Sequence, residues 1–381
     1  MSTRFFRPHS ILWIMALPVL LAALAGSVRA ADPAQDFQKA EPGYRYDFPR
    51  DHGSHDRFRT EWWYYTGNLV TEDGRAFGFQ LTFFRRALPP GQIRTLPSRW
   101  TVSQLYLAHF AVSDLKTGQF YYAEKVSREG LGKAGAASDR LHVWIDRWSV
   151  DASEPQSDHH RLSASDHRVA IDLDLQSQKA PVVHGTGGMS RKGTESGQSS
   201  HYYSLTRLTT SGRVTIGHDT FHVTGESWMD HEFGSADLGN KLVGWDWFSV
   251  QLADRTELML YRLRRTDGSA DPVSSGTFID RNGQTRHLSI QDFSLESSRL
   301  WTSPISQARY PLTWKLTVPS LDLSLVITPR SDQQELKTER STQVTYWEGA
   351  ITVEGSAGRA HAQGHGYMEL TGYAERIQRK L

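Results

Sequence analysis

Apolar and polar residues alternate with a period of two along much of this 381-residue chain. Because successive side chains of a β-strand point to opposite faces, such runs predict strands that bury one face. Helical periodicity is weak, and the pattern predicts only two short helices, at residues 292–298 and 373–380. The clearest alternating runs are residues 75–84, 105–112, 169–175, 258–263 and 321–327.

Turn-forming dipeptides separate the alternating runs. Asp73-Gly74 and Asn282-Gly283 are typical of hairpin turns, whose backbone twist suits a pair of antiparallel strands. Many short strands joined in this way indicate a β-barrel or a β-sandwich. We therefore expect an all-β fold of antiparallel strands with few short helices.

Two signatures recur in the same order in the two halves of the chain. Residues 62–69 (WWYYTGNL) resemble residues 245–252 (WDWFSVQL), and residues 228–230 (WMD) resemble residues 367–369 (YME). A fixed order of matched motifs favours duplication of one barrel-like unit over chance similarity among many aromatic residues. The predicted units are residues 44–235 and 236–381.

The first thirty residues have the features of a targeting segment. Two arginines precede an apolar run at residues 11–25, and a small-x-small sequence ends at Ala30. This arrangement predicts a cleaved Sec-type signal peptide, residues 1–30, followed by a linker at 31–43. The alternative is an uncleaved N-terminal anchor, although the apolar run is short for spanning a bilayer. We expect a periplasmic or secreted protein.

Composition narrows the classes of partner. The chain contains no cysteine, so it uses neither disulfides nor thiolate metal sites, and its length is sufficient for a core without them. The net charge is +1 and no basic cluster stands out, so nucleic acid is not an expected partner. Twelve tryptophans, with 14 tyrosines and 16 phenylalanines, suit pleated surfaces and the walls of apolar pockets.

The common cofactor signatures are missing from the sequence. There is no His-Glu-x-x-His helix, no glycine-rich phosphate loop after a strand and no Gly-x-Ser-x-Gly turn. His231 with Glu232, and His361 with His365, are pairs that have ligand chemistry without a recognised spacing. We therefore expect neither a cofactor nor a metal.

The decapeptide at residues 225–234 (GESWMDHEFG) carries the strongest candidate chemistry. An acidic group walled by aromatic rings retains its proton near neutral pH, because desolvation disfavours the carboxylate. Strand alternation places Trp228, Asp230 and Glu232 on one face. Asp230 is then either a general acid or, if an arginine such as Arg207 pairs with it, a structural carboxylate.

Two further segments carry candidate site residues. Glu61 heads a strand with four consecutive aromatic residues, two for each face, which fill a barrel interior and cover an outer or interface surface. His201 and Tyr203 share a face of another predicted strand, where they could hold a water or donate to a carboxylate. The aromatic run favours core packing over a cofactor pocket, and the histidine reading depends on its distance from Asp230.

Taken together, four segments resemble those of the carotenoid 1,2-hydratase (hydroxyneurosporene synthase) family. The resemblance is closest to the exported, AttH-like branch of lipocalin-like proteins, and it covers nearly all of the chain after the predicted signal peptide, in order. The segments are residues 61–67, 201–204, 225–234 and 244–249.

This resemblance implies two tandem lipocalin-like antiparallel β-barrel domains with a ligand space near their junction. It also implies cofactor-free addition of water to an isolated C=C bond of an acyclic carotenoid. By motif, Asp230 is the implied proton donor, and His201 and Tyr203 match positions that assist the acid or the water. The residues expected to contact substrate are Trp62, Trp63, Trp228, Trp245, Glu61 and His231.

Two functions remain open on this basis. The first is a cofactor-free hydro-lyase or isomerase that binds a hydrophobic, isoprenoid- or lipid-like molecule and protonates it from Asp230. The second is a non-catalytic periplasmic carrier of lipophilic ligands that serves an inner-membrane transporter. The enzyme requires the Asp230 carboxyl to lie within about one water of His201 or Tyr203, whereas the carrier requires only a cavity.

Overall fold

The structure, a computed structural model, describes residues 37–89, 102–154, 158–194, 197–235 and 241–376. The predicted signal peptide and the first part of the predicted linker lie outside the described residues, as does the end of the predicted C-terminal helix. Export therefore stays a prediction. Within the described part of the chain, no helix is long and apolar enough to cross a membrane.

The described chain is almost entirely β-strand, and its helical content there is two short 3₁₀ helices, Arg50–His52 and Pro319–Leu321. The strands of the first sheet are β1 Thr60–Val70, β2 Ala76–Ala87, β3 Gln104–Asp114, β4 Gln119–Arg128, β5 Ala134–Ala136, β6 His142–Ile145, β7 Trp148–Ala152, β8 His159–Ser165, β9 Val169–Ser177, β10 Val182–Val183, β11 Ser190–Arg191, β12 Ser199–Ile216 and β13 Asp219–Gly234. The strands of the second sheet are β14 Leu242–Leu252, β15 Glu257–Arg265, β16 Ser275–Ile279, β17 Thr285–Ser289, β18 Ser294–Thr302, β19 Arg309–Val318, β20 Leu323–Pro329, β21 Glu335–Lys337, β22 Thr345–Ala357 and β23 Ala360–Leu370.

The two sheets share the order of their central strands, although the first path has eleven strands and the second has nine. The first runs β4-β3-β2-β1-β13-β12-β9-β8-β7-β6-β5, and the second runs β17-β16-β15-β14-β23-β22-β20-β19-β18. In both, the first strand of the unit pairs antiparallel with the last. The first sheet is a nearly closed barrel and the second a half-barrel. The predicted all-β fold of two tandem lipocalin-like barrels is confirmed.

The repeated signatures occupy equivalent places in the two sheets. Tyr64 of β1 pairs with Asp230 of β13, and Trp247 of β14 pairs with Glu369 of β23. The sequence repeat aligns Tyr64 with Trp247 and Asp230 with Glu369, so both motifs meet in the same register. This agreement supports duplication. The domain limits themselves stay a prediction.

Alternation along each strand sorts the apolar residues into three main clusters. Trp63 and Tyr65 of β1 point into the first barrel, whereas Trp62 and Tyr64 point to a cluster between the two sheets. The prediction that the four aromatic residues would split two and two is therefore confirmed. A second interior cluster fills the half-barrel. The buried members of the cluster between the sheets are Tyr64, Tyr202, Trp228, Leu242, Trp247, Met259, Tyr261, Leu263, Ala350 and Tyr367.

A buried ionic network also crosses between the sheets. Glu257 of β15 accepts hydrogen bonds from Arg207 Nε of β12 at 2.7 Å and from Lys179 Nζ at 2.6 Å. Arg207 also pairs with Glu226 at 2.7 Å. A buried charge pair of this kind costs several kcal/mol when one partner is removed, because the other charge is left uncompensated. Arg207 therefore pairs with Glu226 and Glu257 in this network and does not pair with Asp230.

One local prediction was wrong. The helix expected at residues 292–298 is largely strand β18, because its backbone pairs with β19 and this tertiary pairing outweighs a weak local pattern. The polar segment at residues 151–168 contains strand β8, which pairs with β7 and β9. Its polar residues alternate with buried ones such as Leu162, as expected of a half-exposed strand.

We predict that Gly225→Ala destabilises the first barrel. A Cβ at Gly225 would lie 2.0 Å from the carbonyl oxygen of Asn68 on the neighbouring strand β1, and backbone cannot yield as a side-chain end can. The expected loss is about 1–3 kcal/mol of unfolding free energy, typical of overpacking. Urea denaturation measures it. The control is Thr224→Ala, an exposed change one residue away; equal stability of both variants would contradict the prediction.

Candidate active site between the two sheets

Asp230 lies on β13, facing the cluster between the sheets, and its side chain is only 4% exposed. Three donors bind its carboxyl group. The Tyr202 hydroxyl donates to Oδ2 at 2.7 Å, the Trp228 indole N–H donates to Oδ1 at 2.6 Å, and the Ser204 hydroxyl also donates to Oδ1. Among the described residues, no arginine hydrogen-bonds to this carboxyl. The structural alternative, a carboxylate locked by a guanidinium, is therefore not what the geometry shows.

A second layer of hydrogen bonds fixes the direction of these donors. The Ser204 hydroxyl donates its proton to Asp230, and its oxygen lies 2.6 Å from His184 Nε2. His184 Nε2 must therefore carry a hydrogen and donate it to the Ser204 oxygen. The other ring nitrogen, Nδ1, then accepts from the Thr277 hydroxyl at 2.9 Å. Burial lowers the pKa of His184 to about 3, so its ring is neutral at ordinary pH. Each hydrogen bond of this chain is therefore donated in the direction of Asp230, from Thr277 to His184, from His184 to Ser204 and from Ser204 to Asp230.

Tyr202 is oriented in the same way from the second sheet. The Trp247 indole N–H donates to the Tyr202 hydroxyl at 3.0 Å, which leaves the Tyr202 proton free to reach Asp230. Trp247 belongs to β14, so the site takes groups from both sheets. The second sheet therefore acts on the carboxyl indirectly, by orienting the Tyr202 hydroxyl.

Burial dominates the acidity of this carboxyl. Desolvation raises the pKa of Asp230 from 3.8 to about 7, against the opposing effect of the Ser204, Tyr202 and Trp228 hydrogen bonds, and the charge of Glu232 raises it further. A carboxyl group with a pKa near 7 exchanges its proton at neutral pH. This is the property that a general acid or base requires.

One side of the site is less deeply buried. Trp62, Trp245, Lys192 and Glu369 are each partly exposed. Lys192 Nζ forms an ion pair with Glu232 at 2.8 Å and lies 5.2 Å from the centre of the Tyr202 ring. These four side chains form the partly exposed edge of the group around Asp230.

Two more acids face the site from the second sheet. Glu348 and Glu369 are directly opposite each other on β22 and β23. The Trp245 indole N–H donates to Glu369 Oε2 at 3.0 Å. Desolvation raises the pKa of Glu369 to about 7, although part of its surface stays accessible, and desolvation together with the Glu369 charge raises the pKa of Glu348 well above its usual range.

The structure does not bring His201 and Tyr203 to Asp230. Ser204 is the direct partner of Asp230 across β12 and β13, so up to the β-bulge that follows Leu205 the even-numbered residues of β12 share its face and the odd-numbered ones point away. The His201 ring packs against Tyr44, with ring centres 4.4 Å apart. The expectation that these two residues assist Asp230 directly is wrong in this register.

Tyr203 instead joins a polar network inside the first barrel. Its hydroxyl lies 2.7 Å from His52 Nδ1 and 2.9 Å from His231 Nδ1. His231 Nε2 lies 2.9 Å from Glu61 Oε1, and the Trp63 ring stacks on His231 with centres 4.9 Å apart. Three expected substrate contacts, Trp63, Glu61 and His231, therefore lie on the face opposite Asp230.

Glu61 is the centre of this network. Its Oε2 accepts from Arg85 Nε at 2.9 Å, and its Oε1 lies 2.7 Å from His55 Nδ1. The ligand atoms of His55, Glu61 and His231 lie within 4.8 Å of one another, which is a spacing that a metal ion can use. Because Arg85 and the His55 main-chain N–H already satisfy the carboxylate, we identify the cluster as an ion and hydrogen-bond network.

Of the residues predicted from sequence, Asp230, Trp62, Trp228 and Trp245 meet on the face between the sheets. Sequence reasoning missed several side chains that contact or face them. The internal repeat pointed to one of these residues, Glu369, because it aligns with Asp230. The positions of the other missed residues depend on strand register. The missed residues are Tyr202, Ser204, His184, Trp247, Lys192, Glu348 and Glu369.

We predict that Asp230→Asn flattens the pH dependence of stability. The folded pKa, about 7, lies above the unfolded value of 3.8, so the stability that protonated Asp230 contributes is complete below pH 3.8 and is lost as pH rises through 7. From pH 5 to pH 8, wild type should lose about 3 kcal/mol more than the variant.

Urea denaturation at the two pH values measures this difference. The matched control is Asp174→Asn, an aspartate on β9 whose side chain is 47% exposed. The control should lose as much stability as wild type over the same range. If Asp230→Asn lost as much as this control, a proton-binding Asp230 would be refuted.

Comparison with known proteins shows where this fold occurs. A model of the AttH-like family matches residues 39–373. The crystal structure of an AttH protein from Nitrosomonas europaea is similar, with 34% sequence identity and a TM-score of 0.79, over 88% of this chain and 99% of that one. Kievitone hydratase from Nectria haematococca shares the fold at 16% identity, with a TM-score of 0.66 and coverage of 87% and 93%.

Two characterised relatives match by sequence. Kievitone hydratase of Fusarium solani subsp. phaseoli is 22% identical over 272 residues, which cover 69% of this chain and 73% of that protein. The dehydratase asqC of Emericella nidulans is 21% identical over 217 residues, 55% of this chain, and the match spans only 60% of its own length. The family model covers nearly all of the described residues, and on that evidence the chain belongs to the AttH-like family.

Proposed function

We propose that this protein adds water to, or removes water across, a C=C bond of a hydrophobic small molecule, with Asp230 as the proton donor. The observation that carries the proposal is a protonatable carboxyl, with a pKa of about 7, held among aromatic rings between the two sheets. The relatives named as a hydratase and a dehydratase support the reaction class.

The proton transfer is the first step. The Asp230 O–H bond breaks, its proton forms a C–H bond with one alkene carbon, and the neighbouring carbon becomes a cation. Such a cation has no hydrogen-bonding group for the protein to hold. The faces of tryptophan and tyrosine rings attract cations through their quadrupole, and Trp228 and Tyr202 both contact Asp230.

Water then forms a C–O bond with the cation and releases a proton. Elimination of water is the same sequence in reverse. After the first step Asp230 is a carboxylate, and three donors from Tyr202, Ser204 and Trp228 are already oriented toward it. Preorganised donors stabilise a developing charge without reorganising at the moment of reaction. The same contacts keep the carboxyl from rotating away from the substrate.

The substrate class follows from the aromatic lining, and we propose an isoprenoid or carotenoid-like molecule. Kievitone is a second probe, because a relative is named for its hydration. The competing function is a carrier of lipophilic ligands that works with an inner-membrane transporter after export. The expected requirement that His201 or Tyr203 lie within about one water of Asp230 is not met, since both point away from it. The enzyme is supported instead by the raised pKa of the Asp230 carboxyl and by its three donors Tyr202, Ser204 and Trp228.

We predict that Asp230→Asn lowers turnover by about 10²–10⁴-fold, the usual contribution of a general acid. Purified wild type, Asp230→Asn and the Asp174→Asn control are incubated with an acyclic carotenoid and with kievitone, and mass spectrometry follows the gain or loss of one water. Equal turnover by wild type and Asp230→Asn would remove Asp230 from its role. Binding of these molecules without turnover by any form would favour the carrier.

Tyr202 and Tyr203 are adjacent on β12 and point to its opposite faces, so they provide a matched pair of variants. The Tyr202 hydroxyl stabilises the Asp230 carboxylate, so Tyr202→Phe should raise the pKa of Asp230 and move the alkaline limb of the rate profile to higher pH. Tyr203 points into the first barrel, and Tyr203→Phe should change unfolding free energy but leave the position of that limb. The measurement is kcat/KM between pH 5 and pH 9. A shift with Tyr203→Phe alone would mean that the wrong face has been assigned.

A further inference from the structure

The Glu348–Glu369 pair lies across the interface from Asp230 and has no role in the steps above. The two residues are direct partners on adjacent strands β22 and β23. Glu348 is 2% exposed, and its Oε1 makes no well-formed hydrogen bond among the described residues, although the Tyr64 hydroxyl is close to it. An acid oxygen that is buried and left open in this way is available to a molecule bound between the sheets.

Two neighbouring carboxyl groups in such a place share their protons. Ionising both costs more than ionising one, because like charges in a desolvated site repel each other. Burial and the Glu369 charge hold the pKa of Glu348 well above its usual range, and the pKa of Glu369 is raised to about 7. Near neutral pH the pair can therefore both hold a proton and offer a carboxylate oxygen.

Glu369 is the counterpart of Asp230 in the internal repeat. It occupies the same position in the β14–β23 pairing that Asp230 occupies in the β1–β13 pairing. Each acid also accepts a tryptophan N–H, from Trp245 and Trp228 respectively. The duplicated fold thus presents one carboxyl from each unit to the same interface.

The charged groups around Glu369 come from both sheets. Glu348 is its neighbour on β22, and the charges of Asp230 and Glu232, which face it from β13, raise its pKa. Lys192, which is paired with Glu232, lowers the pKa of Glu369 and favours its carboxylate. Glu369 is also partly accessible to solvent, whereas Asp230 is almost fully buried.

We propose that Glu369, held beside Glu348, is the second catalytic residue of this site and acts as the base toward water while Asp230 acts as the acid. The inference rests on the proposed function. In hydration, Asp230 gives its proton to the alkene carbon, the water oxygen bonds to the cation, and the water proton passes to Glu369. In dehydration, Glu369 protonates the leaving hydroxyl and Asp230 takes the proton from carbon. Each direction moves one proton between the acids, and exchange with solvent restores them.

The two acids take different roles because they differ in their exposure to solvent. The partly exposed Glu369 can reach a water at the open edge beside Trp245 and Lys192. The buried Asp230 faces the aromatic rings, where an alkene would lie. A pair of titratable groups whose surroundings differ in this way is how one site supplies both an acid and a base.

Infrared spectroscopy of the full-length protein tests the shared site without a substrate. The carbonyl stretch of protonated carboxyl groups is followed against pH in wild type, Asp230→Asn and Glu369→Gln, each of which keeps the shape of the side chain. Removing either acid should lower the titration midpoint of the other, and the two shifts should be equal, because coupling between sites is reciprocal. Midpoints that do not move in either variant would overturn the inference.

Activity with an acyclic carotenoid and with kievitone then separates the inference from the proposed function. Glu369→Gln should lower kcat by at least about 10²-fold and abolish the acidic limb of the pH profile, which reports the base. Glu348→Gln should leave that limb near its wild-type position, because the charges that raise the pKa of Glu369 are those of Asp230 and Glu232. Glu354→Gln, an exposed glutamate on β22, is the matched control and should behave as wild type.

The outcomes are distinct. If Asp230→Asn is inactive while Glu369→Gln keeps both limbs and the wild-type rate, the second catalytic residue is refuted and the proposed function stands. If Asp230→Asn keeps the wild-type rate, the proposed function falls, and the roles of both acids fall with it. If none of the forms turns over either probe, the infrared shifts alone decide whether the two acids are one site.

Discussion

The pairing register of β12 with β13 is the constraint on which the candidate site depends. Ser204 lies opposite Asp230, so Tyr202 and Ser204 share the face of that acid while His201 and Tyr203 point into the first barrel. A shift by one residue would exchange the two sets and leave the Asp230 carboxyl without Tyr202 and Ser204, two of its three donors. The register therefore determines both the acidity of Asp230 and the identity of its neighbours.

The same sheet separates two kinds of polar chemistry. On the inner face, Glu61 is held by Arg85 and two histidines in a closed network, which keeps the pKa of that carboxyl well below its usual range. On the outer face, Asp230 has only neutral donors, and burial raises its pKa. The type of partner, a full positive charge or a neutral dipole, decides whether a buried carboxyl is a fixed anion or a proton carrier.

Much of the fold was readable from the sequence because it is set by local rules. Period-two alternation marked the strands, and a glycine in a left-handed conformation closes the turn at Gly74 and again at Gly283, as the turn dipeptides indicated. The internal repeat was readable because aromatic and acidic residues recur in order. Asp230 itself was identifiable from its neighbours along the chain.

The partners of Asp230 were not readable in the same way, because register and contact between sheets are not local properties. His201 and Tyr203 looked equivalent to Tyr202 and Ser204 until the pairing with β13 was known. The strand β18 was hidden because its pairing with β19, rather than its own pattern, holds it extended.

Each unit ends beside its own beginning. In the first unit Thr60 lies directly opposite Gly234, and in the second unit Asp246 lies opposite Leu370. Two such units can be joined head to tail by a short connection, and a chain reopened at a hairpin would retain every strand neighbour, which makes this architecture well suited to gene fusion and circular permutation.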